Sequence, residues 1–511
     1  MHENLKRQEK LLLGGVVCAC FLIRLVFLLL NSIKVKEIVS TDEAYYIQAG
    51  LNILAGKFYP AFGEANAGQP LFPLFLALGF KWGGEPILTA RFLSSLAGAM
   101  TLIPFHLCVR SFFRSTDAFL SDWIFVLSPF AIRYSVLAMT HSLFNFFLVL
   151  MLLFLLKALK TNIFLWSIGA GLAGCGAYLT RVEGLAFVIF VLLGGFFLGR
   201  PALKLSLVSL LTFVLSCIPF WIWLRLAHGT WQLGWQEGQG VAGKFSSYWH
   251  VYLNNAFLYL PIEGAIFKLH GLGSFYLYLR ELAKTYYLLL PRVLPILVWV
   301  LVGFGFLRVF SRKQDSARVP ISWIILFASF PILFYPLFGI DARYLSPTGI
   351  FFAMFAGPGL QFLASKKKPW IPTAGLLIIL INFIPGYGQL FAAGRDAPVE
   401  HKQAGEWIKN HVSEPQTIIA SDKLSCFYAG PMCKRFVWMG PLYFQARQGA
   451  SFEELLQKQK VDLVVADTRF MSRWPGADSL LKGPGSNFLV PLVEFTEGPE
   501  KIILYRFQGK K

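Results

Sequence analysis

Apolar runs of roughly 17–25 residues, each long enough to cross a hydrocarbon core of about 30 Å as a helix, recur from Leu11 to about residue 390. Their limits predict about eleven spans, at 11–31, 86–109, 117–133, 140–157, 163–180, 184–199, 205–226, 285–307, 320–338, 346–364 and 370–390. The first run follows Lys6, Arg7 and Lys10. It is too long for a signal-peptide core and lacks a small-x-small cleavage site, so it reads as a retained span. With the amino terminus in the cytoplasm, alternate connections should be basic. They are: Arg110 and Arg114, Lys157 and Lys160, Arg200 and Lys204, Arg308 through Arg318, and Lys366 to Lys368 all fall on the inner side. This topology predicts two long outer loops, about 32–85 and 227–284, and an outer carboxyl-terminal region.

The pattern changes after Gly394. Amphipathic helical stretches (Val399–Val412, Phe452–Lys460) alternate with short apolar runs of strand type at Thr417–Ala420, Phe436–Met439, Val461–Ala466, Phe488–Val493 and Lys501–Tyr505. The expected fold is therefore a polytopic α-helical membrane domain over residues 1–390, with a small α/β domain over 391–511 outside the cytoplasm. That domain carries no G-x-G-x-x-G turn, P-loop or nucleophile motif, which argues against a nucleotide site.

Composition agrees with the spans: of 511 residues, 56% are hydrophobic and only 15% charged, against about a quarter charged in soluble domains. The formal charge of +19 does not indicate nucleic acid, because the cations lie in short inner connections where membrane topology puts them. Five of the seven cysteines lie in or beside apolar segments, whereas Cys426 and Cys433 fall in the outer region, where a disulfide between them is one expectation. No D-x-D pattern occurs and His250 and His270 are isolated, so no metal or other cofactor is expected.

Candidate chemistry concentrates in the first outer loop. In Ser40-Thr41-Asp42-Glu43-Ala44-Tyr45-Tyr46, Ser40 as N-cap with Glu43 three residues on reads as a capping box opening a helix to about Leu54. On that helix Asp42, Tyr45, Tyr46 and Ala49 share a face, and the helix dipole favours an ionised Asp42. The loop continues through Gly56-Lys57-Phe58-Tyr59-Pro60 and Glu64 to Gln69-Pro70-Leu71-Phe72-Pro73, an apolar piece too short to span.

An outer-loop Asp-Glu followed by tyrosines, a Gly-x-x-Tyr-Pro step, a Pro-Leu-x-Pro re-entry and Ala90-Arg91-Phe92-Leu93-Ser94 resemble the GT-C membrane glycosyltransferases. Within that fold the chain resembles the protein O-mannosyltransferase and aminoarabinose (lipid A) transferase group, and is glycosyltransferase family 39-like. Ser128-Pro129, Thr180-Arg181-Val182-Glu183-Gly184 and Asp341-Ala342-Arg343-Tyr344-Leu345-Ser346-Pro347 agree with it.

The resemblance implies transfer of a sugar from a polyprenyl phosphate to a glycolipid, wall polymer or protein acceptor on the outer membrane face. It implies Asp42 as catalytic acid or base, Glu43 as its neighbour and Arg91 as an orienting partner. Where the family often has a lysine before its re-entry prolines this chain has Gln69, so a donor-phosphate contact falls to Lys57. Arg343 and Tyr344 are candidates for the donor phosphate or an interfacial anchor, and Arg181 with Glu183 for a phosphate site or a self-satisfied ion pair. Tyr45, Tyr46 and Glu64 are candidate sugar or acceptor contacts, Arg133 and His141 weaker candidates. Arg24, inside the first span, faces the bundle without an assigned role. The tryptophans between Trp231 and Trp249 suit either sugar stacking or interfacial anchoring. The absence of Asn-x-Ser/Thr sequons favours a bacterial inner membrane. A transporter or flippase, and a polymerase or ligase of lipid-linked glycans, are the competing readings.

Overall fold

A computed structural model of the chain describes residues 2–34, 40–57, 69–197, 199–228, 259–262, 265–268, 290–310, 325, 342–365, 375, 377, 379–381, 383–387, 399–421, 423–447, 449–467, 488–497 and 500–508. The chain forms two compact units, Met1–Leu30, Gly68–Phe72 and Arg91–Phe391 in one, and Asn31–Ala67, Pro73–Ala90 and Ala392–Lys511 in the other.

The first unit is a helix bundle. Its helices are α1 (His2–Lys34), then, after α2 (Thr41–Leu54) and α3 (Leu71–Phe80), α4 (Pro86–Met100), α5 (Leu102–Arg110), α6 (Ser115–Val126), α7 (Pro129–Ser135), α8 (His141–Thr161), α9 (Phe164–Thr180), α10 (Gly184–Phe197), α11 (Arg200–His228), α12 (Ile296–Phe310) and α13 (Ser346–Ser365). Five helical stretches among the described residues are long and apolar enough to cross a membrane: Arg7–Leu30, Pro86–Arg110, His141–Thr161, Arg200–Leu226 and Ser346–Ala364. Shorter apolar helices cover the spans expected at 163–180 and 184–199 and part of that at 285–307. The span expected at 320–338 lies outside the described residues save Ile325.

Proline sets two of the breaks. α4 gives way to α5 at Thr101 because Pro104 has no N–H to offer the carbonyl of Met100. The span expected at 117–133 is two helices rather than one. Ser128, extended at φ −65° and ψ 116°, caps α7 by accepting from the Ala131 N–H at 3.4 Å, and Pro129 takes the first helical position, where a missing N–H costs nothing.

Three pairs of charged or polar side chains tie these helices together. The Asp117 carboxylate, fully buried, accepts from Arg308 Nη1 at 2.7 Å and ties α6 to α12. Asp122 accepts from His106 at 2.6 Å, and Glu9 pairs with Arg110.

The second unit is built on a five-stranded sheet of order β4-β3-β5-β7-β6. After α14 (Val399–His411) come β3 (Gln416–Ala420), α15 (Leu424–Ala429), β4 (Cys433–Trp438), α16 (Met439–Arg447), α17 (Phe452–Lys458), β5 (Leu463–Asp467), β6 (Leu489–Glu497) and β7 (Glu500–Phe507). A hairpin of β1 (Tyr259–Ile262) and β2 (Ala265–Lys268) precedes them in the chain. β3 pairs parallel with β4 and β5, while β7 runs antiparallel to β5 and β6. The central strands are apolar on both faces, with Ile418, Ile419, Ala420 and Val464 to Ala466 all fully buried, as parallel strands covered on two sides must be. Pro491 falls on the edge strand β6, beside a register shift, the position where a residue without an N–H is tolerated.

No disulfide joins Cys426 to Cys433, which corrects the expected pairing. Both are buried in the apolar cluster with Ile418 and Phe436, where a thiol packs as a small hydrophobe.

The buried pair makes a prediction. Asp117→Ala leaves the Arg308 guanidinium uncompensated, and breaking such a pair costs about 3–5 kcal/mol. Thermal unfolding in detergent should show a clear drop in melting temperature, and an unchanged transition would refute a structural role for the pair.

Candidate functional site

The acid pair opens α2. Ser40, extended at φ −140°, accepts from the Asp42 N–H at 3.3 Å, so the N-cap forms where the sequence placed it. Asp42 is half-buried in the first turn and Glu43 is fully buried. At the far end Gly56 takes the left-handed conformation, φ +73°, and the exposed Lys57 donates its backbone N–H to Asn52 O at 2.9 Å. Glu64 lies outside the described residues.

Tyr45 and Ala49 do share a face, but that face is buried against the sheet unit. They belong to one apolar cluster with Ala404, Ile408, Ile418 and Phe436. Lys423 Nζ stands 4.7 Å from the Tyr45 ring centre and 5.7 Å from that of Phe436. Tyr46 packs edge-on against Tyr45, with ring centroids 5.5 Å apart. On its other side α2 meets α3 closely: a Cβ on Gly50 would stand 2.9 Å from the Phe80 ring and 3.1 Å from Leu76. The helix carrying the acids is thus part of the fold of the carboxyl-terminal residues, and its tyrosines are the fastening.

The helix bundle holds a second constellation. Arg181 ends α9 in an extended conformation. Its Nη1 donates to Thr140 Oγ1 at 3.0 Å and meets His141 Nε2 at 3.2 Å, and its Nη2 donates to Glu183 Oε1 at 2.7 Å. A guanidinium only donates, so His141 Nε2 is the acceptor and the neutral ring carries its proton on Nδ1. The His141 ring lies 5.1 Å from that of Tyr134. The charges of both Arg181 and Arg343 bear on it. Arg343, half-buried, and Tyr344 share the 3-10 turn Ala342–Leu345 that leads into α13, while the side chain of Tyr344 lies outside the described parts. Ser346, the first residue of α13, is joined to α8 by a bond from Asn145 Nδ2 at 3.3 Å.

Of these residues, Tyr134, His141, Asn145 and Ser346 line a cleft together with Arg24 and Ser128. Arg91 is buried in α4, near two serines that fix its helix: Ser95 Oγ donates to Ser135 O at 3.0 Å and Ser94 Oγ to Met139 O at 3.5 Å. Arg91, Arg181 and Arg343 belong to the bundle, and Asp42, Glu43 and Lys57 to the sheet unit. Little in the local pattern points to His141 and nothing to Thr140, because an isolated histidine or threonine in a loop carries no pattern. Arg24 did carry a signal, a cation in the middle of an apolar span.

Comparison with known proteins bears on the fold. Residues 67–223 match the family model for dolichyl-phosphate-mannose-protein mannosyltransferases. No curated protein matches the chain by sequence. Among solved structures, the oligosaccharyltransferase of Archaeoglobus fulgidus in the apo form is 14% identical with a TM-score of 0.65, over 98% of this chain and 74% of that one. The same organism's AglB, in complex with an inhibitory peptide and a dolichol-phosphate, gives 13% and 0.59 over the same shares. ArnT from Cupriavidus metallidurans bound to undecaprenyl phosphate is 12% identical with a TM-score of 0.57, over 96% of this chain and 98% of that one.

The packing of Tyr45 generates a prediction. Tyr45→Ala should cost about 3–5 kcal/mol as a large ring leaves a buried cluster. Hydrogen exchange should then rise across Val399–His411 and the sheet; unchanged protection there would mean that α2 is not held by the cluster.

Family match, helix bundle and fold neighbours agree: this chain is a polytopic helical membrane protein that resembles, and shares the fold of, the GT-C membrane glycosyltransferases.

Proposed function

We propose that this protein transfers a sugar from a polyprenyl-phosphate-linked donor to an acceptor hydroxyl at the outer face of a bacterial cytoplasmic membrane. The observation that carries the reading is the Arg181–His141–Thr140 cluster, in which Glu183 pairs with Arg181 and Arg343 bears on the same histidine, beside a cleft whose lining includes no acid. A fold shared with proteins solved with dolichol-phosphate and undecaprenyl phosphate supports it. Cationic forks suit a phosphate, which they bind through two oxygens at once.

In the proposed reaction Asp42 takes the proton of the acceptor hydroxyl. The acceptor oxygen forms a bond to the anomeric carbon as the bond from that carbon to the phosphate oxygen breaks. The electron pair leaves with the lipid phosphate, and the anomeric centre inverts. A phosphate needs little protonation to depart, so one carboxylate suffices and the remaining demand is charge stabilisation. That role falls to Arg181 and Arg343, with Arg91 and Lys57 as further donor-phosphate candidates. Glu43 supports the base. The carboxyl-terminal unit lies outside the cytoplasm and contacts the acceptor, a glycolipid, a wall polymer or a protein.

The buried charges Arg24, Asp117 and Asp122 favour transport as the second reading, since intramembrane charges mark pathways for ions and polar solutes.

The deciding experiment is turnover of a panel of polyprenyl-phosphate sugars in detergent, with and without chelator. Asp42→Asn should reduce transfer by about 10²–10⁴-fold, the usual worth of a general base. Arg343→Ala should weaken donor binding by roughly tenfold or more, the loss of one charge-assisted contact. If no donor is turned over and reconstituted vesicles instead accumulate or flip a substrate, the transport reading replaces this one.

A further inference from the structure

Arg24 sits in the middle of α1 with no exposed surface, among the largest fully buried side chains. Its Nη1 is spent on the Cys20 carbonyl at 3.1 Å and on the Cys20 sulfur at 2.6 Å, and its guanidinium carbon lies 5.4 Å from the centre of the Phe125 ring. Nε and Nη2 have no hydrogen-bond partner among the described residues. No described carboxylate forms an ion pair with Arg24; Asp122, on the neighbouring helix, gives Oδ2 to His106, and its buried Oδ1 has no hydrogen-bond partner among the described residues. An arginine cannot shed its proton to escape such a site. A guanidinium held dry and half-bonded is costly unless something of opposite charge joins it.

The surroundings say what that is. Arg24 lines the cleft described above together with His141. Of the residues lining that cleft, these two contribute its unpartnered buried polar atoms: Arg24 Nε, Arg24 Nη2 and His141 Nδ1. All three are donors, the last because Nε2 of the same ring accepts from Arg181. Two hydroxyl hydrogens of the lining are already spent, that of Thr101 on Ala97 O at 2.9 Å and that of Ser142 on Tyr134 O at 3.3 Å. Space is kept at the same point. A Cβ on Gly98 would stand 3.3 Å from Arg24 Nε and 3.3 Å from Ser142 Oγ, and only 2.7 Å from Ser135 Cβ. Glycine is the residue that leaves this wall open.

We infer that Arg24 and His141 form an oxyanion subsite inside the bundle, taking the oxygens of a phosphate group. Three unspent donors, a fixed positive charge and no acid in the lining select a ligand rich in acceptors and negatively charged. Its identification with the phosphate of a lipid carrier rests on the transferase reading above; the subsite itself rests on the donors.

The test is ligand-induced stabilisation of the full-length protein in detergent, with undecaprenyl phosphate, undecaprenol and inorganic phosphate as probes. Wild type should melt higher with undecaprenyl phosphate and not with undecaprenol. A further rise with inorganic phosphate would show that the headgroup alone suffices, and a response confined to the lipid would assign the site to the carrier. Arg24→Met should weaken the phosphate response by at least ~30-fold, the loss expected when a buried charged partner is removed. Without ligand the same variant should melt at or above wild type, because it removes an uncompensated charge. A merely structural arginine would give the opposite sign. Arg24→Lys keeps the charge, loses the fork, and should give an intermediate affinity if Arg24→Met does not fold.

Two results overturn the subsite: wild type unmoved by either phosphate, or Arg24→Met responding as wild type does. Donor turnover on the same preparations separates the two ideas. Wild-type turnover with an unaltered phosphate response in Arg24→Met removes the subsite alone. A phosphate response lost in Arg24→Met without turnover of any donor removes the transferase reading alone.

Discussion

Inside hydrocarbon no water stands ready to satisfy a polar group, and pressing one apolar helix on another gains little over pressing it on lipid. The bundle is therefore held by close backbone approach and by polar groups that find partners within it. α12 and α13 show the first: a Cβ on Gly359 would stand 1.8 Å from the Leu301 carbonyl oxygen, and one on Gly305 would stand 2.1 Å from that of Phe355. Any larger residue at either point would force the helices apart. Asp117 with Arg308 shows the second. So do the hydroxyls of Thr101, Thr180 and Thr212, each returned to the carbonyl four residues earlier.

Against that background an unsatisfied group stands out. Among the described residues, the unpartnered buried polar atoms that line the cleft, on Arg24 and His141, are all donors. A scaffold that answers Asp117 with an arginine and Asp122 with a histidine is able to answer a lone guanidinium too. Leaving it unanswered keeps a place for an anion.

The sheet unit follows a different logic. It has a true apolar core, and it recruits α2 into that core through Tyr45 and Ala49. Acids at the start of α2 are thereby placed by a helix whose far face is locked by packing and by Lys423 above the Tyr45 ring. Packing of this kind fixes a first-turn carboxylate more tightly than a free loop would. The same feature assigns Tyr45 to the scaffold, although its spacing with Asp42 made it a candidate for substrate contact.

Length, hydropathy and the alternation of basic connections were enough to read the chain as a polytopic helical membrane protein, because a span must be about 20 apolar residues long whatever surrounds it. Local chemistry was equally legible: Ser40 as the cap of α2, the helices at Val399–His411 and Phe452–Lys458, and the five strands of the sheet follow from capping and periodicity within a few residues. The tertiary structure decided what no local pattern encodes. It split the third span at Ser128 and Pro129, left Cys426 and Cys433 as separate thiols, and joined α2 to a sheet some 370 residues further along. It also brought Arg181, Thr140 and His141 together from two helix ends. Each of these depends on contacts between segments distant in the chain, where the partner, not the residue's own neighbours, determines whether a charge is satisfied or left open.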